Sequence, residues 1–365
     1  MEYLSFFSGL ILLTVGAELL IRGASRLAFI LGISPLLVGL TVVALGTSSP
    51  ELVVSLVASS AGQTDLALGN LVGSNIMNVL LLLGLSALII PLMVSHRLLR
   101  IDVPVMILAS LLVLLLGLNG RIGLGDGIIL LAGSIGYITY SFYISKKDIG
   151  GEQDEFSMEY GGNKTHERKR WWLFTLFVLV GLALLILGSR WMVESAVFIA
   201  RRLGISELII GLTIIAAGTS LPELATSVIA SLKGQRDIAI GNVVGSNIMN
   251  LLVILGLSAV VAPDGLQVSS AMLRFDVPVM IVVLLACLPV FFTENKISRW
   301  EGGIFVAYYI AYVLYLILAS IQHEHLDKFT WVMAGFVIPL TIITLVVVAA
   351  GYLCKVKSKN AKIKE

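Results

Sequence analysis

GTSSPEL at 46–52 and GNLVGSNIMN at 69–78 return 172 residues later as GTSLPEL at 218–224 and GNVVGSNIMN at 241–250. Around these blocks, residues 39–90 align with 211–262 without a gap and are identical at 32 of 52 positions. Fainter echoes reach further out: LGIS at 31–34 and 203–206, and RIDVPVM at 100–106 against RFDVPVM at 274–280. A chain that contains one unit twice has to be read first for how the two copies sit relative to each other.

Composition supplies the setting. Of 365 residues, 58% are hydrophobic and 13% charged, with a mean hydropathy of +0.98. Soluble domains carry about 25% charged residues. The charges also cluster, leaving runs of roughly 20 apolar residues, enough to span a bilayer core as helix. This predicts an all-α polytopic membrane protein, and excludes a soluble enzyme, a nucleic-acid binder and a disulfide-stapled secreted domain. Cys287 and Cys354 lie inside apolar segments and read as small hydrophobes. His96, His166, His323 and His325 fall in polar connections, so no transition-metal site is suggested.

Eleven apolar runs stand out, near 3–21, 34–60, 66–91, 102–118, 124–145, 171–193, 206–232, 238–262, 275–293, 302–320 and 329–354. No Lys or Arg precedes the first, which argues against a cleavable signal peptide. With the N-terminus outside, nineteen Lys and Arg residues fall on the inner side and six on the outer. The positive-inside rule therefore predicts an external N-terminus and a cytoplasmic lysine-rich tail in the cell membrane. The boundaries expected are a first transmembrane repeat at 1–145, a flexible cytoplasmic linker at 146–170, a second at 171–320, and an extra helix with a basic tail at 321–365. Five spans separate equivalent positions, and an odd number inverts the second copy. Inverted five-helix repeats are an architecture of secondary transporters, with the site at the repeat interface near mid-membrane.

The repeated residues are polar ones inside apolar helices. Pro50 and Pro222 lack an N–H and clash with the carbonyls of Gly46 and Gly218. Each helix is expected to break, freeing carbonyls around Ala44–Thr47 and Ala216–Thr219. The breaks gather Thr47, Ser48 and Glu51, with Thr219, Ser220 and Glu223 opposite. No Lys or Arg is at hand for the two deep glutamates, and an unpaired buried carboxylate costs several kcal/mol. A divalent cation, two or more monovalent ones, or protons could neutralise them. Ser74 and Asn78, like Ser246 and Asn250, are one turn apart and present neutral oxygens on one face. Asn75 and Asn247 are expected to serve packing, and Gly69, Gly73, Gly241 and Gly245 to allow close helix approach. Every ligand is a hard oxygen, which suits Ca2+ and the similarly sized Na+. Elsewhere, Glu18/Arg22 and Arg190/Glu194 read as ion pairs one turn apart, and Asp65, Asp102, Asp237 and Asp276 as helix N-caps.

The two blocks, GTSxPE followed by GNxxGSNIxN, resemble the α-repeats of the calcium/cation antiporter superfamily, specifically prokaryotic sodium/calcium exchangers. The resemblance covers roughly residues 1–320. It implies a ten-helix exchanger core working by alternating access, with four cation subsites in a diamond. Carried over by motif position, Glu51 and Glu223 would ligate Ca2+ together with the carbonyls of Thr47 and Thr219. Ala44, Thr47, Ser48 and Ser246 would hold one Na+, Ala216, Thr219, Ser220 and Ser74 another, with Asn78 and Asn250 at the middle. Two features depart from the pattern: several relatives carry Asp where Asn250 stands, and the eleventh helix is extra. Transport of Na+ and Ca2+ in the lipid bilayer calls for no cofactor and no nucleic acid, and no protein partner is evident. A Ca2+/H+ antiporter is the first alternative, although proton exchangers of the superfamily carry a glutamate where Gly73-Ser74 and Gly245-Ser246 stand. A passive cation channel is the second; it commonly needs a pore built around a symmetry axis.

Overall fold

In a bilayer core no water serves the backbone, so each N–H and C=O pairs within its own helix or with a neighbour. The computed structural model meets that demand with helices almost throughout. It describes residues 2–159, 170–204, 216–292, 296–320 and 326–333, with positions 335 and 338. In chain order these form α1 (Glu2–Leu31), the bent pair α2 (Pro35–Thr47) and α3 (Ser49–Ser60), α4 (Thr64–Ile89) and α5 (Leu98–Gly117). Then come α6 (Leu124–Glu159), α7 (Trp171–Arg202), a single turn α8 (Ala216–Gly218) and α9 (Leu221–Leu232). The chain continues as α10 (Arg236–Val261), α11 (Met272–Phe291), α12 (Arg299–Ser320) and α13 (Leu326–Val332). Among the described residues eight helices are long and apolar enough to cross a membrane, and the bent pair makes a ninth crossing. Most of the expected eleventh span, the basic tail and Cys354 lie outside the described residues.

One boundary differs from expectation. Helix α6 runs on to Glu159, so the first half of the segment read as a linker is helical. Glu152, Gln153, Glu155 and Met158 are good helix formers, and they continue the helix despite Gly150 and Gly151.

Burial sorts the helices into an inner and an outer set. The central stretches of α4 and α10, which carry the GSNIMN blocks, are 72% and 83% buried, against 11% for α12. Apolar residues such as Leu115, Ile128 and Ile310 face outward, the arrangement lipid requires. The repeats are interlocked. A Cβ placed on Gly84 of α4 would lie 2.9 Å from the carbonyl oxygen of Gly302 in α12. The mirror contact joins α10 and α6, where a Cβ on Gly127 would lie 2.7 Å from the Gly256 carbonyl. Four two-residue strands, β1 (Leu92–Met93), β2 (Arg121–Ile122), β3 (Leu266–Gln267) and β4 (Lys296–Ile297), repeat the theme. β1 pairs with β4 and β2 with β3, both antiparallel, so each ribbon takes one strand from each repeat.

Helices α1 and α7 touch backbone to backbone. Gly9, Gly16 and Gly23 recur every seven residues, as do Gly181 and Gly188. A Cβ on Gly16 would lie 2.8 Å from the Gly181 carbonyl, and one on Gly188 would lie 2.8 Å from the Gly9 carbonyl. A seven-residue period keeps one stripe facing the partner along both helices.

The N-caps lie elsewhere than expected. Asp102 ends a π-helical segment (Leu98–Asp102) and makes no cap bond. Ser95 caps that helix instead, its Oγ accepting the Leu98 N–H at 3.3 Å, and Ser269 does the same for Met272. Asp102 is thereby free to accept the Tyr137 hydroxyl at 2.9 Å, with Arg97 Nε 3.7 Å from its other oxygen. Asp276 accepts Tyr312 at 3.5 Å. Asp65 sits in the first turn of its helix, where Gln63 holds the cap position. Both expected ion pairs form, and Glu18 also pairs with Lys233 from the α9–α10 connection.

Candidate cation-binding site

The proline at position 50 leaves the Gly46 carbonyl without a backbone donor, and Ser49 Oγ fills the gap at 2.7 Å. In the second repeat Ser189 Oγ of α7 reaches the Gly218 carbonyl at 2.6 Å. With those carbonyls satisfied, the chain bends by 49° between α2 and α3 and does not come apart. Ser48 N–H still donates to the Ala44 carbonyl at 3.0 Å, and Leu52 N–H to the Ser48 carbonyl at 3.0 Å. The expected run of free carbonyls is therefore shorter than read from the proline alone. The Ala44 carbonyl accepts the Ser48 N–H and lies 3.3 Å from the Thr47 hydroxyl, and that of Gly46 is taken. Ala216 opens the turn α8, and residues 205–215 before it lie outside the described residues.

Glu51 and Glu223 sit in the first turns of α3 and α9, each 1% exposed. Each is held by the serine of the opposite repeat. Ser220 Oγ donates to Glu51 Oε1 at 2.7 Å, and Ser48 Oγ donates to Glu223 Oε1 at 2.8 Å. Ser74 Oγ lies 3.2 Å from Ser220 Oγ, joining α4 to the same cluster. The remaining oxygens, Glu51 Oε2 and Glu223 Oε2, are buried without a hydrogen-bond partner. So are Asn78 Oδ1, Ser246 Oγ and both polar atoms of Asn250. Unpartnered buried polar atoms are rare and expensive. Others are scattered through the molecule, but six gather on Glu51, Asn78, Glu223, Ser246 and Asn250, and five of those six are oxygens.

Among the described residues no group of three or more His, Cys, Asp or Glu comes together. The fixed charge of the site is therefore that of two carboxylates, surrounded by hydroxyl and amide oxygens. An arrangement of this kind has the donor chemistry to hold hard cations. Asn78 and Asn250 each open a π-helical segment, at Asn78–Leu83 and Asn250–Ile254. Such segments occur often at functional sites.

The asparagines do more than the sequence suggested. Asn247, read as packing, accepts the Asn78 Nδ2 at 3.3 Å, which turns the Asn78 oxygen the other way. Asn75 Nδ2 donates to the Leu71 carbonyl at 2.9 Å within its own helix. Asn70 and Asn242, which spacing alone does not mark, also take part. Asn242 Oδ1 accepts the Thr47 hydroxyl at 3.0 Å, and Asn70 Oδ1 accepts that of Thr219 at 3.4 Å. Their identity in both blocks, as polar residues beside a glycine in a helix interior, was the available signal. Of the glycines, Gly241 and Gly245 press on the backbone at Leu36 and Leu40. A Cβ on Gly69 or Gly73 meets nothing within 4 Å.

The chain matches the family model described as Sodium/calcium exchanger protein over residues 1–143 and 173–318. It is 38% identical over 226 residues to inner membrane protein YrbG of Escherichia coli (strain K12), covering 61% of this chain and 69% of that protein. It is 42% identical over 144 residues to sodium/calcium exchanger MaX1 of Methanosarcina acetivorans, covering 40% of each. A solved structure of the sodium-calcium exchanger NCX_Mj superposes with a TM-score of 0.73 at 31% identity, covering 86% of this chain and 97% of that one.

Proposed function

We infer, from a chain that belongs to the sodium/calcium exchanger family, that it moves Ca2+ across the cell membrane in exchange for Na+ by alternating access. The observation that carries this reading is the pair of buried carboxylate oxygens, Glu51 Oε2 and Glu223 Oε2, left without partners between two inverted repeats. In the proposed cage Glu51 and Glu223 ligate Ca2+ together with the carbonyls of Thr47 and Thr219. Ala44, Thr47, Ser48 and Ser246 serve one flanking Na+ position, and Ala216, Thr219, Ser220 and Ser74 the other, with Asn78 and Asn250 at the centre. The N-terminus faces outward and the lysine-rich tail inward. Na+ and Ca2+ are substrates of a transporter, not cofactors of an enzyme.

Charge sets the expected stoichiometry. With asparagine at both 78 and 250, the cage holds a formal charge of about −2 from its two glutamates. One Ca2+ neutralises it, as do two Na+, and a third Na+ leaves +1. Exchange of three Na+ for one Ca2+ moves net charge, and each charge responds to voltage by roughly 2.3 kcal/mol per 100 mV. A third carboxylate at position 250 would instead favour an extra monovalent cation. The exchange is therefore expected to be electrogenic and independent of K+. Radiolabelled Ca2+ uptake into Na+-loaded proteoliposomes in K+-free medium, then with the potential clamped by an ionophore, checks both points. An absolute K+ requirement would overturn the second, and flux indifferent to potential the first. Uptake driven by a proton gradient without Na+ would replace the reading with Ca2+/H+ exchange.

Truncation after about residue 325 removes the segment outside both repeats. Exchange in the same assay is expected to survive at more than half the wild-type rate. Complete loss in a well-folded truncation would place the last segment within the mechanism.

A further inference from the structure

Three asparagines occur in each GNxxGSNIxN block, and their surroundings differ in kind. Asn78 and Asn250 keep buried oxygens with no protein partner, whereas no polar atom of Asn70 or Asn242 is left unpartnered. Asn242 Nδ2 donates to the Glu223 carbonyl at 3.3 Å and to Ser227 Oγ at 2.9 Å, and its Oδ1 accepts the Thr47 hydroxyl at 3.0 Å. Asn70 repeats the pattern toward the Glu51 carbonyl at 3.4 Å, Ser55 Oγ at 3.0 Å and Thr219 at 3.4 Å. The same three-point contact thus arises twice, from different stretches of chain.

Each contact uses a carboxamide fully: both N–H groups on its own repeat's glutamate helix, the oxygen on the threonine of the other repeat's GTS block. Aspartate could accept from threonine but could not donate, and would add a third carboxylate beside the glutamates. A shorter or apolar side chain would drop the cross-repeat bond and leave Ser227 or Ser55 short of a donor.

We propose that Asn70 and Asn242 are positioning residues of the cation cage. Each ties the glutamate of one repeat to the threonine of the other without touching an ion, and so sets the spacing between the two halves. The proposal rests on the cage assignment above. It extends that assignment to residues whose atoms are all committed to protein. The Asn242 tie is the tighter in every contact, and Asn242 is fully buried. Its loss should have the larger effect. Partners that orient metal ligands typically carry about 10- to 100-fold in affinity or activity.

A mutant cycle in full-length protein tests this, with apparent KM for Ca2+ and kcat read separately in Na+-loaded proteoliposomes. Asn242→Ala is expected to raise KM about tenfold or more while kcat falls by less than about threefold. Thr47→Val, which keeps the carbonyl and the branched shape, should raise KM less. The double variant Thr47→Val/Asn242→Ala should be no worse than Asn242→Ala alone, because both remove one bond. Thr47→Val/Asn70→Ala touches two different ties, and its effects should multiply. A KM within twofold of wild type for Asn242→Ala, or multiplying effects in the Thr47/Asn242 pair, would overturn the proposal. If Asn242→Ala does not elute as folded protein, the mirror pair Asn70→Ala and Thr219→Val decides by the same criterion. A wild-type protein that takes up no Ca2+ against Na+ would instead remove the exchange reading, leaving the ties themselves unaffected.

Discussion

Glu51→Gln and Glu223→Gln should each lower Ca2+ affinity by a factor on the order of 10²–10⁴ and bring Na+-driven uptake near background. Glutamine keeps the volume and can still accept from the Ser220 or Ser48 hydroxyl, so the fold has little reason to change. What disappears is one of the two charges of the proposed cage, at 1% exposure and with no ion pair to Lys or Arg among the described residues. Removing one partner from a buried charge pair costs about 3–5 kcal/mol, hence the size of the effect. Protons compete for the same carboxylate oxygens, so acidification should raise the apparent KM for Ca2+ in the wild type. Wild-type exchange by either variant would remove the glutamates from the site. Calorimetric Ca2+ titration of the purified variants, beside the flux assay, separates lost binding from lost movement.

The α1–α7 contact should prove nearly as unforgiving, by a different route. Gly16→Leu or Gly188→Leu is expected to cost at least about 3 kcal/mol, the top of the usual range for overpacking. The atoms in the way are backbone. At Gly16 a Cβ would meet the Gly181 carbonyl at 2.8 Å and the Leu185 nitrogen at 2.9 Å. No rotamer change relieves such contacts, so the helices must separate over their length. Gly136→Ala is the matched control, because Gly136 is exposed on α6 and a Cβ there meets nothing within 4 Å. It should be neutral, or slightly stabilising through helix propensity. The fraction of monodisperse protein after heating in detergent is the measurement. A Gly188→Leu protein as heat-resistant as wild type would mean that the two helices do not meet as described.

Much of this is legible in the amino-acid sequence. A constant offset of 172 residues, an odd number of spans between copies and polar residues confined to the repeated blocks point to inverted halves around Glu51 and Glu223. Roles that depend on contact were not legible. Asn70 and Asn242 acquire theirs only by meeting Thr219 and Thr47, 149 and 195 residues away. The proline breaks were overread because Ser49 Oγ and Ser189 Oγ replace the missing donors, a substitution that spacing does not reveal. Asp102 resembled a cap because it precedes an apolar run, but the π-helical turn before it moves the helix start back to Ser95. The segment after residue 145 is polar and short, which argues against a domain but not against a helix that continues from α6 to Glu159.

The interlocking of the repeats also has a consequence in time. Ser48 and Glu223, which bond across the site, are 175 residues apart. A ribosome adding about 5–20 residues per second takes roughly nine to thirty-five seconds to cover that distance. Until the second repeat is made, the first stands in the bilayer with Glu51 lacking Ser220, Gly16 lacking Gly181 and Gly84 lacking Gly302. Its polar face and its glycine stripe are those of an unfinished protein until the second half emerges.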